Sequence, residues 1–103
     1  MILGNFDCIA GRDVCGWAWD PAKPRESMLV SVLLDGVLVC QGMANHHRPD
    51  LHAAGIGQGD HAFYLPLPEP LTDGRSGTLT VTVGNGQPLG GTPVRVTLPN
   101  NRF

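Results

Sequence analysis

Residues 27–44 read SMLVSVLLDGVLVCQGMA, two apolar and β-branched runs that meet at Asp35-Gly36. Asp-Gly is the dipeptide that type I′ turns prefer in two-residue β-hairpins, so this stretch predicts a long antiparallel hairpin. With that turn, residues whose numbers sum to 71 face one another across the strands. The predicted pairs on one face are Val30 with Gln41, Val32 with Val39, and Leu34 with Val37.

Both faces of this hairpin are apolar, because Leu29, Ser31 and Leu33 on the second face oppose Gly42, Cys40 and Leu38. We expect a second sheet to cover one face and a loop or a neighbouring molecule to cover the other. A homodimer is therefore an expected assembly.

A second hairpin is predicted earlier in the chain, where the strands Asn5 to Ala10 and Val14 to Trp19 flank Gly11-Arg12. A glycine in the first turn position suits a type II′ turn, and the resulting register places Cys8 directly opposite Cys15. Oxidation of this pair is geometrically feasible.

The remaining chain continues the pattern of short strands. Apolar and polar residues alternate in TLTVTV at 78–83 and in PVRVTL at 93–98, as in half-buried strands. An edge strand is predicted for HAFYLPL at 61–67, because it contains Pro66. A short helix is predicted for Pro49 to Ala54. We predict an all-β fold for the single domain 1–103: an antiparallel two-sheet, immunoglobulin-like β-sandwich of about seven strands with one short helix.

The alternation also predicts which side chains form the core. We expect Trp17 to be largely buried, together with a set of aliphatic and aromatic residues from the strands: Leu29, Val30, Val32, Leu34, Val39, Phe63, Leu65, Val81, Val83 and Val96.

Composition excludes several classes of function. Seven Lys and Arg against nine Asp and Glu give a net charge of −2, which lacks the basic excess of nucleic-acid-binding proteins. No run reaches the ~18 apolar residues of a membrane span, and MILGNFDC lacks the features of an export signal. We expect a cytoplasmic protein with neither nucleic acid nor a membrane span among its interactions.

Catalytic and metal motifs are also missing from the sequence. His46 and His47 are adjacent, His52 lies on the predicted helix, and no HExxH, Cys-x-x-Cys or Gly-x-Ser-x-Gly motif occurs. Gly55, Gly57 and Gly59 are not followed by a helix or a Lys-Ser/Thr pair, which argues against a phosphate loop. We therefore expect no enzyme activity, no metal and no cofactor.

The tryptophans Trp17 and Trp19 share one face of a strand with Cys15, so that face lies inside or outside as a unit. If it lay outside, the interior would receive only Val14, Gly16 and Ala18. This favours tryptophans that lie in the core or are partly buried over an exposed sugar-stacking platform, with Trp19 nearer to the surface.

Arg48 and Asp50 flank the proline that starts the predicted helix. Arg48 could lock the helix by binding a carboxylate or loop carbonyls, or both residues could form polar contacts to a sugar. Both interpretations stay open at this point.

Four pieces in order, GWAWDP (16–21), SVLLDGVLV (31–39), RPDL (48–51) and GIGQGDHAFYLPLP (55–68), resemble a small β-sandwich module of bacterial polysaccharide-assembly proteins, commonly found beside glycosyltransferase domains. The resemblance implies a non-catalytic accessory module. It places Trp17 and Asp20 in the first piece, Arg48 and Asp50 in the third, and Phe63 in the fourth.

Two hypotheses follow. In the first, the chain binds a glycan or polysaccharide precursor, and a glycosyltransferase or another protein is a further partner. The glycan would be bound by polar and aromatic side chains near strand ends: Trp19, His46, His47, Arg48, Asp50, His61 and Tyr64. In the alternative, the chain is a protein-interaction or assembly module without affinity for glycans.

Overall fold

The computed structural model describes residues 2–71, 73–84, 86–98 and 100. Its strands are β1 (Leu3–Ala10), β2 (Asp13–Trp19), β3 (Met28–Leu34), β4 (Val37–Ala44), β5 (His46–His47), β6 (Asp60–Pro66), β7 (Ser76–Val83), β8 (Gln87–Pro88) and β9 (Val94–Thr97). One α-helix, α1 (Pro49–Ala53), and one 3-10 helix, Glu69–Leu71, complete the described elements.

The strands form two antiparallel sheets. The first sheet has the order β1-β2-β6-β5, and the second has the order β4-β3-β7, with β8 and β9 both pairing with β7. The prediction of an antiparallel two-sheet sandwich with one short helix is confirmed. The described chain has nine strands rather than about seven, and two of them, β5 and β8, are only two residues long.

The first hairpin has the predicted register near its turn. Gly11 has a φ of 60°, Ala10 pairs with Asp13, and Cys8 pairs with Cys15. Beyond this point the register shifts by one residue between Phe6 and Cys8, which makes Asp7 the extra residue of a β-bulge.

The central hairpin turns at Asp35 and Gly36, whose φ values of 51° and 82° fit the predicted type I′ turn. The predicted register is correct for Leu34 with Val37. A bulge then adds one residue to β4, so Val32 pairs with Cys40 and Val30 pairs with Gly42. The predicted pairs of Val32 with Val39 and Val30 with Gln41 are therefore wrong, because a bulge is not visible in an alternating apolar pattern.

Most of the predicted core is confirmed. The predicted residues that are buried are Val30, Val32, Leu34, Phe63, Leu65, Val81 and Val83. Val39 and Val96 are half-buried at the margin of the core. The prediction for Leu29 is wrong: it is 45% exposed, because Val30 and its alternate neighbours point inward and leave Leu29 on the outer face of β3.

The two tryptophans are half-buried and lie outside the core cluster, while Val14 and Ala18 on the opposite face of β2 are fully buried. The expectation that the tryptophans are at least partly buried agrees with the structure, but the expectation that they help to build the core is wrong. The reason lies at Gly16, where a Cβ would be 2.7 Å from Cζ of Phe63. The ring of Phe63 on β6 fills the space that this glycine leaves free, so the face with small side chains can pack tightly.

Strand β6 lies between β2 and β5, so its prediction as an edge strand is wrong. Pro66 is the last residue of β6 and faces Asp13 at the end of the ladder, where a missing N–H interrupts little. The helix is confirmed: it starts at Pro49, and Gly55 follows its C-cap residue Ala54 with a φ of 77°. No helix in the described part of the chain is long and apolar enough to span a membrane.

Candidate functional site

A polar cleft of about 490 Å³ lies where the loop after β2 meets the start of β6. The residues that line it come from three separate stretches of the chain: Pro24, Arg25, Ser27, Asn45, Gln58, Asp60 and His61. Its volume falls in the range of small-molecule sites, roughly 300–1,000 Å³.

The loop 20–27 that forms one wall has internal order. The Asp20 carboxylate accepts a hydrogen bond from the Ala22 N–H at 2.9 Å, and the Asp20 carbonyl accepts one from the Lys23 N–H at 2.9 Å. These bonds form a turn, with an Asp side chain in the role that suits it at turn starts. The carbonyl of Lys23 accepts the next bond, from the Glu26 N–H at 3.0 Å.

The Pro24 carbonyl links this loop to Trp19. The Trp19 indole donates its Nε1–H to that oxygen at 3.2 Å. The Trp19 and His61 rings lie with their centroids 5.9 Å apart. Trp19 therefore supports the cleft wall by contacting two of its lining residues.

His61 is 4% exposed, and its Nδ1 is a buried polar atom with no hydrogen-bond partner among the described residues. Burial lowers the pKa of His61, against opposing effects of Asp60 and the Pro24 carbonyl, which favours the neutral ring.

The loop 55–59 packs closely on the same two rings. Gly57 has a φ of 53°, and a Cβ at this position would be 2.5 Å from Nε2 of His61 and 3.2 Å from Nε1 of Trp19. A side chain at residue 57 would push the loop away from the rings. Glycine is therefore required at this position for both its backbone conformation and its size.

His47 contacts the cleft through Asp60. Its Nδ1 lies 2.7 Å from Oδ1 of Asp60, and the two residues are paired across β5 and β6. The His47 ring also contacts His52, with a centroid distance of 6.1 Å. His47 thus orients the carboxylate that forms one side of the cleft.

Arg48 and Asp50 form a separate ion-pair cluster with Asp7. Arg48 Nη1 lies 2.6 Å from Oδ2 of Asp7, and its Nε and Nη2 bind the two oxygens of Asp50 at 3.0 and 2.7 Å. These bonds raise the pKa of Arg48 and lower the pKa of Asp50, with the Asp50 hydrogen bond as the largest effect on Arg48. The cluster ties the start of α1 to β1, in agreement with the structural interpretation of Arg48.

His46 and Tyr64 lie on the outer face of the first sheet. Their rings meet edge to face with a centroid distance of 5.3 Å, and Tyr64 is 41% exposed. Tyr64 is paired with Cys15, so this aromatic pair shares the face that carries Trp17.

The structure thus divides the predicted site residues. His61 lines the cleft, Trp19 and His47 contact its lining residues, and the others lie outside the described lining: His46, Arg48, Asp50 and Tyr64. Sequence reasoning missed most of the cleft because its residues come from loops without a motif. The bulge residue Asp7 was also missed, since it lies 41 positions from Arg48.

No group of three or more His, Cys, Asp or Glu residues in the described segments could hold a metal ion. Comparison of the chain with protein families, with curated proteins and with solved structures gives no match.

Proposed function

We propose that this chain is a carbohydrate-binding module without catalytic activity and that the cleft beside His61 holds the sugar. Sugar hydroxyls both donate and accept hydrogen bonds, and the cleft offers partners of both kinds. Its amides, Asn45 and Gln58, can donate and accept, Ser27 adds a hydroxyl, and Asp60 accepts.

The observation that carries this proposal is that these side chains, from three separate stretches of the chain, converge on one open polar cleft of about 490 Å³. A few polar groups that converge in a pocket are the usual means of orienting a small ligand. The Asp60 carboxylate is already held by His47 at 2.7 Å, and loop 20–27 is held by its internal hydrogen bonds, so binding need not order these groups.

The cleft favours binding over turnover. Hydrolysis of a glycosidic bond ordinarily requires two carboxyl groups on opposite sides of that bond. Asp60 is the one carboxylate among the described lining residues, and it is engaged with His47. The prediction of a bacterial polysaccharide or its precursor as ligand, with a glycosyltransferase partner, rests on the sequence resemblance alone.

A titration of the purified chain with neutral and acidic glycans tests the proposal, with amide NMR and tryptophan fluorescence as readouts. Because the cleft is open and polar, we expect dissociation constants from micromolar to millimolar, about −8 to −4 kcal/mol. Shifts should concentrate in residues 20–27 and 56–61.

Paired amide variants locate the site. Gln58→Ala removes an amide from the cleft and should weaken binding, whereas Gln41→Ala removes an exposed amide from the second sheet, where it donates to Ser31, and should not. Equal effects of the two variants, or no shift with any glycan, would contradict the proposal.

A second candidate function is self-assembly through the β3–β4 hairpin. Leu29, Leu38 and Met43 are 45%, 54% and 42% exposed, and Leu29 pairs with Met43. Strand β4 is the last strand in the order of its sheet, and neither β3 nor β4 contains a charged residue. Two copies could join at this strand without charge repulsion.

The mass of the chain in solution tests this second function. Light scattering over a range of concentrations should show a dimer, and Leu38→Lys should convert it to a monomer because a charge would then face its symmetric copy. Thr80→Lys, on the same sheet but away from β4, is the control. A monomer at high concentration would reject the assembly function and leave the carbohydrate proposal intact.

A further inference from the structure

We infer that the sugar bound in the cleft is acidic and that Arg25 binds its carboxylate. This inference rests on the proposed function, and it specifies the class of sugar. Arg25 is the single cation among the described residues that line the cleft.

The guanidinium of Arg25 is available, in contrast to two other arginines of the chain. Arg48 is held by Asp7 and Asp50, and Arg75 binds both oxygens of Asp73. Within the described residues, no carboxylate forms an ion pair with Arg25. An arginine that lines a cleft and has no internal acid can offer its planar pair of donors to a ligand carboxylate.

The position of Arg25 is constrained by its neighbours. The preceding carbonyl, that of Pro24, accepts a hydrogen bond from Trp19, and the following N–H, that of Glu26, donates to the Lys23 carbonyl. A fixed backbone lowers the entropy lost when the side chain binds.

The other charged residue of the lining, Asp60, argues for a sugar acid rather than a phosphate. Asp60 is a second charged residue in the lining and would repel a group that carries close to two negative charges. A carboxylate carries one charge, and it is attached to a ring whose hydroxyls can donate to Asp60. The charge pattern therefore fits a monoanionic hydroxylated ring, with its acid near Arg25 and its hydroxyls near Asp60.

The test compares matched pairs of sugars that differ only in the acid: methyl glucuronide against methyl glucoside, and methyl galacturonide against methyl galactoside. The whole chain is titrated with each, and amide NMR gives the dissociation constants. We expect a uronide to bind about tenfold more tightly than its neutral partner, because hydrogen bonds to charged groups are the stronger ones. The preference should shrink as salt concentration rises.

Two arginine variants separate the role of Arg25 from general charge. Arg25→Gln should bring the affinity for the uronide down to that for the neutral sugar, and Arg95→Gln, which removes an exposed cation on β9, should leave the ratio of the two affinities unchanged. Equal affinity for acid and neutral sugar, or a preference that survives Arg25→Gln, would overturn this inference and leave the proposed function standing. Absence of binding by every sugar would contradict the proposed function itself.

Discussion

The rings of Trp19 and His61 lie 5.9 Å apart at an angle of 44°, and the Trp19 indole donates to the carbonyl of Pro24 at 3.2 Å. The two rings come from different strands, β2 and β6, and the carbonyl belongs to the loop between β2 and β3. Through this arrangement the wall of the cleft is attached to the first sheet rather than left as a free loop.

The indole N–H of Trp19 should therefore stabilise loop 20–27. Trp19→Phe keeps an aromatic ring but removes the donor to Pro24, and we expect a loss of about 0.5–1.5 kcal/mol in the free energy of unfolding. Trp17→Phe, on the same face of β2, is the matched control. Urea denaturation of both variants provides the measurement, and identical midpoints would show that the Pro24 bond contributes nothing.

Burial of His61 predicts a pH-dependent stability. Its pKa is lowered in the folded state, so the unfolded chain takes up a proton first as the pH falls below the ordinary value of about 6.5. The free energy of unfolding should fall between pH 7.5 and pH 5.5. Protonation of Asp50 and Asp73 contributes only at lower pH, since their pKa values are lowered, that of Asp73 to about 2.

Denaturation at several pH values tests this dependence in the wild type and in two variants. His61→Gln should flatten the profile in this window, whereas His52→Gln, which removes an exposed imidazole, should not. A wild-type profile that rises toward pH 5.5, or one that His61→Gln leaves unchanged, would refute the assigned protonation state.

The Arg48–Asp7 contact should couple α1 to β1 energetically. A double-mutant cycle with Arg48→Gln and Asp7→Asn measures this coupling, for which we expect about 0.5–1 kcal/mol, because the side chains are 24% and 32% exposed. The Lys23–Glu26 pair, at 4.0 Å and about two-thirds exposed, serves as the comparison and should give a coupling near zero. Equal coupling energies in the two pairs would mean that the contact between Arg48 and Asp7 does not stabilise the fold more than an exposed ion pair does.

Phe63 and Tyr64 are neighbours on β6 with opposite environments. Phe63 is fully buried over Gly16, so Phe63→Ala should lower the free energy of unfolding by about 3–5 kcal/mol. Tyr64 is 41% exposed, and Tyr64→Ala should cost about 1 kcal/mol or less. Thermal or urea unfolding measures both, and a reversed order would mean that the inner face of β6 is misassigned.

The sequence alone determined the local parts of this fold. The turns at Gly11-Arg12 and Asp35-Gly36, the pairing of Cys8 with Cys15, and the helix that starts at Pro49 depend on residues close together in the chain. Turn chemistry and strand alternation are short-range effects, so they can be read from a single sequence.

Only the tertiary structure decided which face of β2 is inside. Alternation divides β2 into two faces and does not orient them, and the larger side chains suggested the wrong one. The choice follows from the fit of Phe63 over Gly16, which are 47 positions apart but paired between β2 and β6.

The candidate site depends on the same kind of long-range contact. The sequence indicated His61, and also Trp19 and His47, which prove to support the lining of the cleft. It could not place Arg25, Asn45 or Gln58 beside them, because these residues belong to connecting segments that only the packing of the two sheets brings to one cleft. Loop positions follow from the strands that hold their ends, and those strands come together only when the whole chain folds.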